Sequence, residues 1–588
     1  MKYVLFTLLI LLNSFCSVTA QNNNESVKHE KIYLHTDKYI YKAGDNLFFT
    51  LYLKGSLSQM SKYAYLILRD RYNFPVTRAR IEIKNQSSFG NISLPDTLHS
   101  DIYQLVCYTN RMRNEGEVSY FTKEIIIANR FDKKLERFDS TLYTYPSANF
   151  ANSDSVNETG NENLFIHPDK KIYNTREKVN FSIDAKNIQD DSIIKLSVSV
   201  SEIVPGRLTE PSVSDYFNNT DNKIVEGESG QYQYKYQPEI KGTIIDGRIM
   251  PVRHSGTQPV SSNTNNESDI INYTVLVSTP DSIANMQYTS ADSSGSFRFL
   301  LNPYYEGKEL IIRLKENAKA VIELDDKFKL FQPYVPSDFL NGPGIRSYLI
   351  RNLNISEVQR YYTEKAETNT GEKIEYSLAI PRVYYKPYTK VFPSDYLPLP
   401  DFVEISRELL PALKVRKIND NYVSSYIDTQ NKGVPSIEPI IFLDGVPVND
   451  VNQIINLGSD QIKHIDMLPV IRYYGEMSLS GILAVFTKNL EINNIQFTTP
   501  AVRYQAISSQ TFTKPTHYIP VNNNNHIPDL RQVLIWDPEI KIHNKEKLQI
   551  ECYTSDLHGK YRISVQGITS KGLPVNGSAI ITVKSKSD

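Results

Sequence analysis

Pro439-Ile440-Ile441-Phe442-Leu443-Asp444-Gly445-Val446-Pro447-Val448 is the stretch on which the reading of this chain turns. It is followed by Asn456-Leu457-Gly458-Ser459-Asp460-Gln461-Ile462-Lys463-His464-Ile465-Asp466-Met467-Leu468, then Tyr473-Tyr474-Gly475, then Gly481-Ile482-Leu483-Ala484-Val485-Phe486-Thr487-Lys488. Ile440 to Leu443 is a short unbroken apolar run stopped by Asp-Gly, which predicts a strand buried on both faces and a tight turn. Ser459 is placed to cap one helical turn. Ile465 and Met467 alternate with polar neighbours in a second strand, and Gly481 to Thr487 supplies a third.

In order and spacing these residues resemble the plug domain of TonB-dependent outer-membrane receptors: a strand ending Asp-Gly-Val-Pro, a helical turn, a strand, Tyr-Gly, and a last strand ending Thr-Lys. A receptor plug sits in a barrel of about 22 strands of ~10 residues. Only 100 residues follow Lys488, which leads to the expectation of a plug-like unit without a barrel. The resemblance makes Asp444, Gly445, Val446, Pro447, Tyr473, Tyr474 and Gly475 candidate partner-docking residues. It implies an envelope or outer-membrane protein partner, a TonB-dependent transporter or its periplasmic machinery, and so a role as accessory to such a transport system.

Outward from this unit the chain reads as β-structure. Glu30 to Leu51 recurs at an offset of 132 positions, laying His35 on His167, Asp37 on Asp169, Tyr41 on Tyr173 and Phe49 on Phe181. This is an internal repeat of one β-domain type. Each copy is a strand, an Asp-Lys turn and a second strand, the start of a β-sandwich. The wording Tyr33-Leu34-His35-Thr36-Asp37-Lys38, Tyr41, Gly44-Asp45 resembles the macroglobulin-like domains of bacterial alpha-2-macroglobulin relatives. A third unit, from Ile240-Lys241-Gly242-Thr243-Ile244-Ile245-Asp246 through Asp292-Ser293-Ser294-Gly295-Ser296-Phe297-Arg298-Phe299, resembles a carboxypeptidase regulatory-like β-sandwich, with Arg248 to Asp269 as an insertion.

The expected fold class is mainly β and multidomain: tandem macroglobulin/Ig-like β-sandwiches with one small α/β plug-like domain. The expected boundaries are a signal peptide over 1–20, sandwich 1 over 21–135, a linker over 136–162, a second β-unit over 163–210 and a polar linker over 211–237. The regulatory-like sandwich follows over 238–330, a helical or irregular connector over 331–394, the plug-like domain over 395–495, a polar linker over 496–528 and a C-terminal β-unit over 529–588. Ser356 with Gln359 and Asp401 with Glu404 predict two helix starts.

The start of the chain is Met1-Lys2, an apolar core from Tyr3 to Leu12 and Val18-Thr19-Ala20, which describes a secretory signal peptide and an exported protein of the periplasm, outer membrane or cell surface. Phe15 before Cys16 departs from a lipoprotein cleavage site. No other run reaches the ~18 apolar residues of a membrane-spanning helix. With 65 basic and 66 acidic residues there is no global field to attract nucleic acid. The 39 tyrosines against 24 phenylalanines suit half-wet β-surfaces. Cys107 and Cys552 are expected as two buried strand thiols rather than a disulfide framework.

No catalytic constellation, cofactor motif or metal set is legible, and a non-enzymatic role is expected. His-Glu-x-x-His is missing, and Gly242 to Arg248 fails as a phosphate loop because Arg248-Ile249 stands where Lys and Ser/Thr are needed. His35 with Asp37, and His167 with Asp169, offer two ligands where zinc takes three or four, so these pairs are expected to hold turns. The macroglobulin resemblance implies a protease trap as an alternative. Its covalent form requires Cys-Gly-Glu-Gln, whereas Cys107 precedes Tyr108-Thr109-Asn110 and Cys552 precedes Tyr553-Thr554-Ser555, leaving non-covalent inhibition. Glycan capture by Tyr361-Tyr362, Tyr384-Tyr385 or Tyr473-Tyr474 is a further alternative, opposed by adjacent strand residues facing opposite ways.

Overall fold

The computed structural model describes residues 29–57, 59–132, 163–185, 193–204, 210–219, 235–252, 273–336, 343–362, 380–427, 438–509, 512, 514, 527–543 and 546–585. The signal-peptide residues with Cys16, the linker around 136–162 and most of the Arg248–Asp269 insertion lie outside the described residues.

Three β-sandwiches and one α/β unit make up the described chain. In the first sandwich, Lys31–Thr36, Asn46–Lys54 and Ser87–Ser93 form one sheet. Ile40–Lys42, Phe121–Ala128, Asp101–Thr109, Tyr63–Arg69 and Pro75–Glu82 form the other. Between them lie fully buried Phe49, Leu51, Leu66 and Cys107. Cys107 and Cys552 are free and buried, as expected.

The second sandwich corrects the sequence-based division. Residues 163–210 form only part of it, because the strand Ile193–Glu202 is flanked by Gly559–Thr569 on one side and Val533–His543 on the other. Lys178–Asp184 pairs with Lys547–Tyr553. The C-terminal strands are therefore not a closing unit; they complete a sandwich opened some 330 residues earlier, with everything between inserted into it. One core joins the halves, with Val198 and Phe181 beside Val565 and Ile581.

The third sandwich stacks Ser296–Leu300, Ile244–Pro251 and Ala320–Leu324 on Gln287–Ser290, Thr274–Ser278, Glu309–Leu314 and Ala501–Gln505. The last of these was expected in a polar linker; it is an edge strand paired to Glu309–Leu314. The segment expected as a polar linker over 211–237 is also structured in part, and the connector carries its expected helix with other bounds. Val213–Asn219 is a helix that sends Val213 and Phe217, one turn apart, into the first core. The helix expected from Ser356 begins instead at Pro343 and runs to Tyr362, burying Ile345, Tyr348 and Leu349.

The first sandwich is the hub. Against the second, the Tyr52 hydroxyl lies 2.8 Å from Ser197 Oγ and 2.9 Å from the Gln566 carbonyl, and Lys195 Nζ donates to the carbonyls of Lys84 and Asn85. Against the third, Arg80, fully buried, meets Glu306 at 2.9 Å, and Arg113 grips Asp325 through both terminal nitrogens. Lys327 and the Tyr65 hydroxyl converge on buried Glu239. Buried charges kept in pairs fix orientation, since losing either partner strands the other away from water.

Candidate interaction surface

The α/β unit is a mixed sheet in the order Thr389–Val391, Ile462–Leu468, Ile482–Thr487, Ile440–Leu443, Val446–Val448. Ile440–Leu443 and Ile482–Thr487 run parallel. Their apolar runs are unbroken because both faces are covered. Ile441, Leu443, Leu483 and Val485 meet Phe402 and Ile405 of the helix Phe402–Leu409. Phe442, Ile482, Ala484 and Phe486 turn the other way, onto Leu276, Ala284 and Met286 of the third sandwich. The Asp401 side chain caps the helix by accepting from the Glu404 amide at 2.9 Å, as expected. Ser459 caps no helix: its Oγ accepts from the Leu399 amide, and the helical turn is Val451–Gln453, capped by Asp450.

Most of the residues expected to dock a partner are used within the chain. Asp444 and Gly445 have φ of +47° and +84°, the left-handed pair of a two-residue hairpin turn. The Asp444 carboxylate accepts from the Thr487 amide at 2.6 Å, the Thr487 hydroxyl at 2.8 Å and the Ile492 amide at 3.1 Å. Gly445 is pressed against the third sandwich, where a Cβ would lie 2.6 Å from the Ile283 carbonyl oxygen. The amide of Asp281 donates to the Asp444 carbonyl and that of Asn285 to the Gly445 carbonyl. Asp444, Gly445, Val446 and Pro447 are all buried, which corrects the expectation that they dock a partner, since their surfaces are already covered within the chain. The Tyr474 hydroxyl donates to the Met286 carbonyl, and the Tyr288 hydroxyl closes over Gly475 and accepts from the Glu476 amide. Of the seven, only Tyr473, 79% exposed, offers a large side chain to solvent.

The exposed apolar surface of the unit lies elsewhere, along its edge. Tyr385 is 88% exposed, Tyr388 78% and Leu397 83%, with Phe392 and Tyr396 also exposed. The Tyr388 amide donates to the Met467 carbonyl, and Thr389 pairs with Met467. This brings Tyr388 beside the end of Ile462–Leu468 and the exposed Val470 and Ile471 that follow, while the chain after Leu397 bonds through Leu399 to Ser459, ahead of that strand's start. Sequence reasoning placed residues up to 394 in a connector and missed this rim. A β-branched pair around Lys390, flanked by Tyr388 and Phe392, was the available signal. Neighbouring tyrosines do face opposite ways: the Tyr384 hydroxyl donates to Asp466 at 2.8 Å while Tyr385 points to water, and Tyr474 turns in while Tyr473 turns out.

The His-Asp pairs divide by burial. Asp37 accepts from the Tyr41 hydroxyl at 2.7 Å and the Phe48 amide, and Asp169 from the Tyr173 hydroxyl at 2.5 Å and the Asn180 amide. Both aspartates hold turns, as expected. His35 is buried at the junction with the second sandwich, its Nδ1 2.7 Å from Ser197 Oγ and its ring edge-on to Trp536, while His167 is exposed. Burial, helped by nearby Lys123, pushes His35 down to about 3. Among the described residues no three His, Cys, Asp or Glu side chains gather where a metal could be held. A polar cleft of about 420 Å³ lies on the first sandwich, lined by Arg69, Gln104, Glu117, Lys123, Glu124 and Tyr334. The Tyr334 hydroxyl donates to Glu124, and Arg69 donates to Gln104 and the Gln332 carbonyl.

No protein-family model matches the chain, and no curated protein does. Among solved structures, Salmonella alpha-2-macroglobulin reacted with methylamine is similar over 95% of this chain and 39% of its own, at 9% identity and a TM-score of 0.23. Escherichia coli alpha-2-macroglobulin activated by porcine elastase is similar over 95% of this chain and 44% of its own, at 7% identity and a TM-score of 0.23. The Escherichia coli adhesin FdeC is similar over 31% of this chain and 49% of its own, at 10% identity and a TM-score of 0.14. The chain thus spans about two fifths of the length of these macroglobulins.

Proposed function

We propose that this is an exported, non-enzymatic envelope protein that works by protein–protein contact, with the α/β unit as its docking head and an outer-membrane transporter of the TonB-dependent class as partner. The observation that carries it is the unit's asymmetry: one sheet face is sealed by a helix and the other by the third sandwich, while its rim turns Tyr385, Tyr388, Leu397, Val470, Ile471 and Tyr473 to water. Exposed apolar groups concentrated on one unit mark a contact site. The plug-like wording of residues 439–488, together with a mixed sheet crossed by a helix, supports the choice of partner class. The three sandwiches serve as the rigid mount that presents the head.

Removing the whole unit would uncover Leu276 and Met286, so the test uses surface substitutions in the full chain. Protein carrying Tyr385→Ser, Tyr388→Ser, Leu397→Ser and Tyr473→Ser is compared with the unaltered chain in affinity purification from solubilised envelopes. The expected result is a TonB-dependent transporter recovered by the unaltered chain and reduced about tenfold by the variant, with unchanged thermal unfolding. Recovery of a protease by both proteins, or of the chain from the cytoplasmic fraction, overturns the proposal.

A further inference from the structure

Leu413–Ile418 and Asn421–Tyr426 form a two-stranded ribbon that joins no larger sheet among the described residues. Asn419 and Asp420, with φ of +47° and +68°, close it in a two-residue left-handed turn. Its two long edges are finished differently. On one, the side-chain amide of Asn452 accepts from the Tyr422 amide at 2.8 Å and donates to the Tyr422 carbonyl at 3.0 Å, filling the place of a third strand. Tyr422 therefore aims its main-chain groups out of the ribbon, and so must Lys417, its cross-strand partner, on the opposite edge. Two residues along, Val415 repeats that orientation. The Leu413 amide is taken by the Leu410 carbonyl, but among the described residues nothing bonds to the outward amides and carbonyls of Val415 and Lys417.

This open edge is strongly basic. Lys414, Arg416 and Lys417 are exposed, and among the described residues their one ion pair is Lys417 with Asp420 at the tip, at 3.3 Å. Ile418 and Val423 add exposed apolar surface. A free edge of this kind is a template for another strand, and lysines on it repel a second copy carrying the same charges. An incoming strand would lie about 4.8 Å away, its alternate side chains beside Lys414 and Arg416.

We infer that the Val415–Lys417 edge is a docking site for an extended acidic segment of a partner protein, which adds to the ribbon as a third strand. The main-chain groups supply pairing and the three cations select against basic and uncharged strands. The inference rests on the α/β unit being the docking head, and it concerns a different face from the aromatic rim.

The probe is a capped eight-residue peptide of alternating glutamate and valine, titrated calorimetrically into the full chain, with the lysine-valine peptide as its counterpart. Lys417→Pro removes an edge amide that the ribbon itself does not use, and Lys417→Ala removes the same charge while keeping that amide. Lys414→Glu with Arg416→Glu reverses the field by surface changes alone. The glutamate peptide is expected to bind and to slow hydrogen exchange at Val415 and Lys417. Binding should weaken about tenfold or more with Lys417→Pro and with the double reversal, and only about threefold with Lys417→Ala. Absence of glutamate-peptide binding, equal binding of the lysine peptide, or equal affinities of Lys417→Pro and Lys417→Ala overturns the site. Peptide binding lost while transporter capture persists removes the edge site alone; capture lost while peptide binding persists removes the transporter reading alone.

Discussion

At Asp444 one side chain does the work of three caps. Its backbone takes a left-handed conformation that Asp tolerates better than most residues, and its carboxylate satisfies two amides and a hydroxyl at the end of the central strand. Asp444→Ala should destabilise the unit by about 3 kcal/mol, combining unpaired buried donors with backbone strain. Asp444→Asn, which keeps one acceptor and the tolerance for that backbone, should cost about half as much. Urea unfolding monitored by hydrogen exchange at Val485 and Thr487 measures both. His35 carries a pH prediction. Its folded value of about 3 lies below the unfolded 6.5, so its contribution is complete above pH 6.5 and is lost as pH falls towards 3. The stability advantage of the native chain over His35→Asn should therefore shrink with acidification, approaching about 1.4 kcal/mol per pH unit within that window. An advantage that does not change between pH 4 and 7 would show that this imidazole is hydrated.

At the scale of an element, the repeated Asp-Lys turn shows the same wiring in two environments. Asp37 with Tyr41, Phe48 and Lys38–Asp45 corresponds bond for bond to Asp169 with Tyr173, Asn180 and Lys170–Glu177. Burial raises Asp37 to about 6, outweighing Lys38 and its hydrogen bonds. At exposed Asp169 the balance reverses: burial is opposed and outweighed by the Tyr173 hydroxyl and Asn180 amide, and the carboxyl falls below its usual range. The signs of linkage are therefore opposite. The advantage of native Asp37 over Asp37→Asn should fall as pH rises from about 4 to 6, and that of native Asp169 over Asp169→Asn should fall as pH drops below about 4. Denaturation of the two variants across this range distinguishes them. The repeat, its turn and the three apolar strands of the α/β unit were all legible, since periodicity and turn chemistry are local. The edge strands Thr389–Val391 and Ala501–Gln505 were not, because a short strand at a sheet's border is specified by the partner it borrows.

For the molecule as a whole, the consequential fact is that the second sandwich opens and closes across the insertion of the third sandwich and the α/β unit. Removing residues 529–588 strips Ile193–Glu202 of both neighbours and bares the buried surface around Tyr52, His35 and Ser197. Truncated protein should lose the second sandwich outright, with rapid proteolysis within residues 163–202, while the third sandwich and α/β unit keep their protection. Adding the separately made 529–588 segment should restore resistance. A truncated chain cleaved at the native rate would contradict the shared core. The third sandwich packs on the first through Arg80–Glu306 and Arg113–Asp325, which braces the sandwiches against one another.

The amino-acid sequence by itself determined what is written in neighbouring residues: a mainly β chain, a twice-used turn, a doubly buried strand ending at Asp444-Gly445, two buried thiols. Which strand lies beside which, and which face meets water, were decided only by the tertiary structure. The Asp-Gly-Val-Pro turn was chosen as a contact site on its wording and proved to be an internal clasp, while the open surface fell to Tyr385, Tyr388 and the Val415–Lys417 edge. The reason is physical: turn geometry and periodicity act over a few residues, whereas exposure depends on long-range packing that no local pattern encodes.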